Sequence, residues 1–223
     1  MTHPHPRSAL LLALVALLLP TTRAAAQRVG VSGGAGLALA DYREQGTALR
    51  FRGTGPSGHV AAGWRRVALR LDATRLTLEG AGPAGTTSEP FDLTQLDVRL
   101  SVRVAHAVSV ETGLLSRVVS PRDAAQEVGA ARLGARLDYA LAPGAALTAR
   151  AGYLGAARFS GGGSAPFGVE AGLGVSYGPG EGRIRVTTDF DFQRFDRRTS
   201  VSGERLGVPI QSAAVRIGVE LRL

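Results

Sequence analysis

The last segment of the chain alternates apolar and polar residues with a period of two. From Ala213 to Leu223 it reads A-A-V-R-I-G-V-E-L-R-L, with Arg216, Glu220 and Arg222 between aliphatic positions. This period indicates a β-strand, because successive side chains of an extended chain leave opposite faces. A strand with one aliphatic and one ionic face suits the wall of a soluble sandwich or of a barrel in lipid.

The first 26 residues have the composition of a secretory signal peptide. Arg7 supplies a positive start, residues 9–19 form an apolar run that Pro20 ends, and residues 24–26 offer a cleavage site. We therefore predict a signal peptide over 1–26, export through the general secretory pathway, and one domain over 27–223. The chain has no cysteine, which excludes disulfide bonds.

The charge of the chain is basic but dispersed. All 26 basic residues are arginine, against 18 acidic residues, for a net charge of +8. Nucleic-acid binding would require a clustered basic stripe with aromatic residues nearby. These arginines are spread along the chain, often two residues from an acid, so we predict no nucleic-acid partner.

Ten alternating segments follow the predicted signal peptide, at about 28–40, 57–64, 67–78, 91–104, 107–115, 128–141, 146–155, 167–177, 183–192 and 213–223. Long connections (41–56, 79–90, 116–127, 156–166 and 193–211) alternate with four short ones, which places every long loop at one end. Long loops at one end and short turns at the other are typical of outer-membrane barrels, whereas sandwiches use crossing connections. We predict an all-β, transmembrane, antiparallel up-and-down β-barrel of ten strands, with eight as the alternative.

Aromatic residues fall near the ends of the predicted strands. A bilayer favours aromatic rings at its two interfaces. We therefore predict two belts of membrane-interface aromatics. One lies at the turn end and the other at the loop end: Trp64, Tyr139 and Tyr177, and Phe91, Tyr153, Phe167, Phe190 and Phe192.

The polar face of the strands is rich in both signs of charge, and an enclosed charge without a partner is costly. We therefore predict a paired, structural charge network in the lumen. Glycines on the same face leave room for long arginine side chains, and a ten-stranded barrel is narrow, so we expect the lumen to be plugged. The predicted members are Arg70, Asp72, Asp97, Arg99, Arg103, Glu111, Arg132, Arg136, Asp138, Arg150, Glu170, Arg185, Asp189, Asp191, Arg216, Glu220 and Arg222.

Few residues suit catalysis. Beyond the predicted signal peptide the chain has two histidines, His59 and His106. Asp189 and Asp191 form a candidate carboxylate pair, but Arg185 and other arginines favour a structural role for them. No Ser-His-acid order or metal-ligand spacing occurs, so we predict no enzyme activity, catalytic residue, cofactor or metal site.

The predicted signal peptide, the alternating strands and the terminal strand from Val215 to Leu223 resemble the small outer-membrane β-barrel family typified by OmpA and OmpX. The resemblance implies the outer membrane of a Gram-negative-type bacterium. It also implies contact with outer-membrane lipid and lipopolysaccharide, and recognition of the C-terminal strand by the barrel-assembly machinery. That family usually ends on an aromatic residue, where this chain has Leu223.

These features predict a monomeric, non-enzymatic barrel with a structural or surface-interaction role. A narrow channel for small solutes is one alternative, and a soluble periplasmic ligand-binding barrel is another. The predicted loop over 193–211 carries Arg194, Arg197, Arg198 and Arg205. It is either a surface for anionic lipopolysaccharide or a solvated loop.

Overall fold

The regular structure of the chain consists of β-strands. The computed structural model describes residues 29–45, 49–82, 89–121, 126–160, 162–179, 182–201 and 204–223. The predicted signal peptide lies outside these residues. No helix in the described ranges is long and apolar enough to cross a membrane. The strands are β1 (Gly30–Glu44), β2 (Arg50–Trp64), β3 (Val67–Gly80), β4 (Phe91–Arg103), β5 (Val108–Ser120), β6 (Val128–Ala142), β7 (Ala145–Phe159), β8 (Ser164–Ala165), β9 (Gly168–Tyr177), β10 (Ile184–Val201) and β11 (Glu204–Arg222).

The sheet closes on itself. Each long strand pairs antiparallel with its neighbours in sequence, and β11 pairs with both β10 and β1. The two-residue strand β8 lies beside β7 and β10 at the loop end. The other ten strands form a closed up-and-down barrel, which confirms the ten-strand prediction; the eight-strand alternative is wrong.

The strands are staggered around the barrel. Following paired residues once round from Val31 leads back to Arg43 of the same strand, twelve residues further along. Stagger of this kind requires strands that tilt against the barrel axis. A strand therefore lies diagonally in the wall, and residues distant in sequence share one level of the lumen.

Two of the tight turns have two residues each. Arg65–Arg66 joins β2 to β3, and Pro143–Gly144 joins β6 to β7. Gly144 has a φ of +81°. Proline followed by glycine with positive φ is the sequence of a type II turn, in which glycine avoids the steric cost of that conformation.

The strands at the loop end extend further than the sequence predicts. Most of the predicted loop over 41–56 belongs to β1 and β2, and most of 193–211 is the paired hairpin of β10 and β11. The predicted limits are wrong there because the apolar phase changes. In β1 the aliphatic residues of the outer face are odd-numbered as far as Leu39. The next large apolar residue, Tyr42, is even-numbered and faces inward, although the strand continues to Glu44.

Two zones of opposite polarity are stacked along the barrel. Nearer the turns, the outer face carries exposed aliphatic side chains such as Leu114 and Leu133, 62% and 59% exposed. We call this zone the outer apolar band. Nearer the loops, the outer face becomes polar and the inner face apolar. The outer polar positions there include Asp41, Arg43, Arg52, Arg75, Thr77, Glu79, Asp92, Thr94, Arg194 and Asp196.

A charge placed on the outer apolar band should cost more than the same charge placed above it. Leu100 and Thr94 lie on the outer face of β4 and are both exposed. We expect Leu100→Arg to lower the free energy of unfolding in lipid vesicles by about 2–4 kcal/mol, and Thr94→Arg by less than about 1 kcal/mol. Urea unfolding measures both. Equal costs would contradict a bilayer contact confined to the band.

Candidate functional site

The centre of the lumen holds a layer of buried ion pairs. Arg132 on β6 binds Asp97 on β4, and the side chains of both are at most 2% exposed. Arg132 Nη2 also lies 3.3 Å from Glu170 Oε2 on β9, and Arg99 Nη2 lies 3.9 Å from Asp97 Oδ2. Arg132 thus links two walls of the barrel.

A second group of ion pairs completes this layer. Asp191 on β10 binds both Arg150 on β7 and Arg216 on β11. Asp72 on β3 accepts hydrogen bonds from Arg70 at 2.8–3.0 Å. We call these two groups together the ionic layer; its members are Arg70, Asp72, Asp97, Arg99, Arg132, Arg150, Glu170, Asp191 and Arg216.

Glycines allow the ionic layer to cross intervening strands. Gly113 on β5 is paired with Arg99 on one side and Arg132 on the other. Gly172 on β9 lies between Arg150 and Asp191, and a Cβ there would come within 2.5 Å of Arg150 Nε and 2.9 Å of Asp191 Oδ1. A side chain at Gly172 would therefore displace the ion pair.

The charged side chains nearer the turns are more exposed than those of the ionic layer. Arg136 Nη2 lies 2.8 Å from Asp138 Oδ1, and Arg136 Nη1 lies 4.0 Å from Glu111 Oε1. Glu220 lies 3.0 Å from Arg222 Nε and 3.2 Å from His59 Nε2. The remaining predicted members of the network, Arg103, Arg185 and Asp189, form no ion pair with a described residue.

Above the ionic layer, Arg117 crosses the lumen. Its side chain projects inward from β5 and is buried, with 2% of the residue exposed. Nη2 donates hydrogen bonds to Gln95 Oε1 (3.0 Å), Gln193 Oε1 (2.9 Å) and Ser212 Oγ (3.1 Å). The three acceptors lie on β4, β10 and β11, so a single guanidinium ties one wall of the barrel to the opposite one.

An apolar layer fills the lumen between Arg117 and the loops. Tyr42, Phe51 and Phe91 pack edge to face with ring centroids 4.9–6.4 Å apart. Phe159 and Phe195 form a second such pair at 5.9 Å. Leu76, Leu78, Leu93, Leu115, Val119, Val128, Leu154 and Ile210 are buried with these rings.

The predicted aromatic belts differ from the structure at one residue. Trp64, Tyr139 and Tyr177 lie exposed on the outer face at the turn end. Towards the loops, Tyr153, Phe167 and Phe190 are 40–51% exposed, and Phe192 shares the outer face of Phe190. Phe91 was predicted to join them, but it is 6% exposed inside the apolar layer. That prediction is wrong because Phe91 has the inward phase of Asp97.

The residues weighed for catalysis occupy structural positions. His59 contacts Glu220, which also accepts a hydrogen bond from Arg222. Asp191 lies between two arginines, and Asp189 lies against Gly174. No group of three or more histidines and carboxylates able to hold a metal ion occurs in the described part of the chain.

The outer wall has its own charged cluster at the loop end. Asp41 accepts hydrogen bonds from Arg43, Arg50 and Arg52. Burial raises the pKa of the Asp41 carboxyl, but the three arginines outweigh this effect and hold the pKa well below its usual range. Hydrogen bonds from Arg75 and Thr77 likewise lower the pKa of Asp92.

The sequence prediction missed Arg117 and the apolar layer. Arg117 and Val119 keep the inward phase of Glu111 and Gly113, but the predicted strand ended at Leu115. Continuing the alternation beyond the point where the apolar face changes sides would have identified both.

Solved structures resemble this chain only distantly. No family model and no curated protein matches the sequence. The translocator domain of autotransporter NalP from Neisseria meningitidis matches with a TM-score of 0.41 and 14% identity, over 97% of this chain and 95% of that one. The outer membrane protein OprG from Pseudomonas aeruginosa matches with a TM-score of 0.40 and 10% identity, over 88% of this chain and 97% of that one.

Ail from Yersinia pestis matches with a TM-score of 0.36 and 10% identity, over 88% of this chain and 99% of that one. The barrel is established by its own strand pairing, and these low scores add nothing to it.

Removing Arg132 should destabilise the barrel more than removing an exposed arginine. In Arg132→Met, Asp97 and Glu170 lose a shared buried partner, for which we expect a loss of about 3–5 kcal/mol in unfolding free energy. Arg194, which pairs with Asp196 at 3.0 Å with both side chains about 40% exposed, is the matched control. Arg194→Met should cost less than about 1 kcal/mol in the same urea titration. Similar losses would contradict a buried, interdependent layer.

Proposed function

We propose that this chain is a non-enzymatic outer-membrane β-barrel with a closed lumen and a structural or surface-interaction role. The observation that carries the proposal is the reversal of polarity along the strands. In the outer apolar band, aliphatic side chains face outward and ion pairs face inward; above it, both faces exchange character.

The band is the part of the surface that a bilayer would cover. A soluble protein rarely exposes a large contiguous apolar surface, and in lipid a closed barrel leaves no backbone edge unpaired. A tilted strand needs about 9–11 residues to cross a bilayer. The long strands exceed this length and therefore continue beyond the band. The loop-end part of the barrel would then stand in water, with a polar outside and an apolar inside.

The layered filling of the lumen favours a closed barrel over a channel. Buried ion pairs, the Arg117 crossing and the apolar layer follow one another along the axis. A solute passing through would have to separate each in turn. The buried aromatic and aliphatic side chains of the apolar layer would not replace the water of a passing ion.

The partners of the barrel follow from its placement. The outer apolar band would contact outer-membrane lipid, and exposed loop-end arginines such as Arg52 and Arg75 lie where lipopolysaccharide headgroups would be. Strand β11, which closes the sheet against β1, would be the strand engaged by the barrel-assembly machinery. We take the chain to act as a monomer in a Gram-negative-type outer membrane after export by the general secretory pathway.

Cell fractionation tests the membrane placement. We expect the expressed protein to remain in the outer-membrane fraction after carbonate washing and to migrate faster on a detergent gel when unboiled, because a folded barrel binds less detergent. Extraction in plain buffer would contradict the proposal and favour a soluble periplasmic barrel.

Conductance tests whether the lumen is closed. We expect no steady single-channel steps from the native protein in planar bilayers. Phe195→Ala alone should also stay silent, because the ionic layer remains. Removing one side chain from each layer, in Phe195→Ala with Arg117→Ala and Arg132→Ala, should produce regular small steps. Steady steps from the native protein would favour the narrow channel.

A further inference from the structure

A cavity of about 440 Å³ opens in the lumen at the turn end. We call it the vestibule. Side-chain exposure rises from 1% at Arg132 in the ionic layer to 26% at Arg136 and 51% at Arg222. The vestibule is therefore reached from the turn end and stops at the ionic layer. Its charged lining is Arg70, Arg103, Arg136, Arg150, Arg185 and Arg222, with the carboxylates of Asp138, Asp189 and Glu220.

Most of these charges already have partners. Arg70 and Arg150 are bound by carboxylates of the ionic layer, Arg136 by Asp138, and Arg222 by Glu220. Two arginines differ. Neither Arg103 nor Arg185 forms an ion pair with any described residue. Arg185 Nη1 lies 3.4 Å from Ser176 Oγ, and its enclosed Nε has no hydrogen-bond partner within the described ranges.

The unpaired carboxylate of the lining lies deeper than these two arginines. Asp189 is four residues above Arg185 on β10, about 13 Å along the strand at the usual rise per residue. It lies beside Asp191, level with the ionic layer, where Arg216 is its paired neighbour on β11. The mouth of the vestibule therefore has an excess of positive charge.

The two arginines that form no ion pair with a described residue lie on facing walls. Arg103 ends β4 and Arg185 lies at the start of β10, half the circumference of the barrel apart. A single small anion cannot contact both walls as well as an extended one can. A ligand with two or more anionic groups in a row would pair with both guanidinium groups at once.

Guanidinium groups suit phosphate in particular. Their planar donors match two oxygens of one phosphate group, and a charge-assisted pair of this kind is stronger than a neutral hydrogen bond. We propose that the vestibule is a binding site for a small, soluble polyphosphate-type anion that enters from the turn end, with Arg103 and Arg185 as its principal contacts. The vestibule is closed at its inner end by the ionic layer, so it binds the anion without conducting it through the barrel.

Calorimetry with inorganic tripolyphosphate and with inorganic phosphate tests the site. The native barrel, folded in a zwitterionic detergent, is titrated at constant ionic strength. We expect tripolyphosphate to bind in a one-to-one ratio and at least about tenfold more tightly than phosphate, because only the longer anion can reach both walls.

Two variants and two controls assign the site. Arg103→Gln and Arg185→Gln break no ion pair, so the barrel should fold, which gel mobility without boiling verifies. Each should raise the Kd for tripolyphosphate by about tenfold or more. Arg75→Gln and Arg194→Gln remove arginines from the outer wall at the loop end and should leave the Kd within about twofold.

Three results would overturn the proposal. One is the absence of saturable heat with tripolyphosphate. Another is an equal loss of affinity in the outer-wall controls, which would mean general attraction to a basic protein. The third is one-to-one binding of an oligoglutamate peptide in place of tripolyphosphate, which would assign the vestibule to an acidic protein segment. None of these results depends on whether the barrel lies in a membrane.

Discussion

Closure of β11 against β1 is the constraint on which the rest of this structure depends. Once the sheet is closed, every side chain of a strand faces either the lumen or the surroundings, and alternation leaves no third choice. The registers of all the strand pairs, including the thirteen paired positions between β1 and β11, together set the stagger of the barrel. That stagger decides which residues meet at each level, so the pairing of Arg132 with Asp97 and Glu170 follows from backbone register.

The lumen combines two ways of filling a narrow space, and each suits its surroundings. Within the outer apolar band the ionic layer is enclosed, so its charges must satisfy one another. Where the outside is polar, the inside packs aromatic and aliphatic groups as an ordinary protein core does. Arg117 lies at the boundary with three neutral oxygens as acceptors.

Alternation alone predicted the strand number, the connectivity and the inward phase of the charged residues, because those depend only on a period of two. It failed where the environment of a face changed within a strand. The shift of apolar positions between Leu39 and Tyr42 looks like the end of a strand in the sequence. The run from Gly53 to Pro56 also looks like a loop, because its glycines and Pro56 weaken any strand signal.

In the structure that run lies in the middle of β2. No pairing with β3 occurs between Thr54 and Ser57, where Pro56 has no N–H to donate. Gly53 and Gly55 lie so close to the backbone of β3 that a Cβ would fall within 2 Å of its carbonyl oxygens. Such tertiary contacts cannot be read from a single sequence. The lack of an ion pair between Arg103 or Arg185 and any described residue could not be predicted either, because it depends on which side chains meet across the lumen.

Because all its cations are arginine, the ionic layer responds differently to acidic and to alkaline pH. A buried lysine can release its proton, but a guanidinium keeps its charge at any pH that a cell meets. Alkali therefore cannot neutralise the positive half of the layer. Only acid can unbalance it, through its carboxylates. Alkaline conditions would leave these ion pairs intact, whereas strong acid would leave arginines facing one another across a narrow lumen.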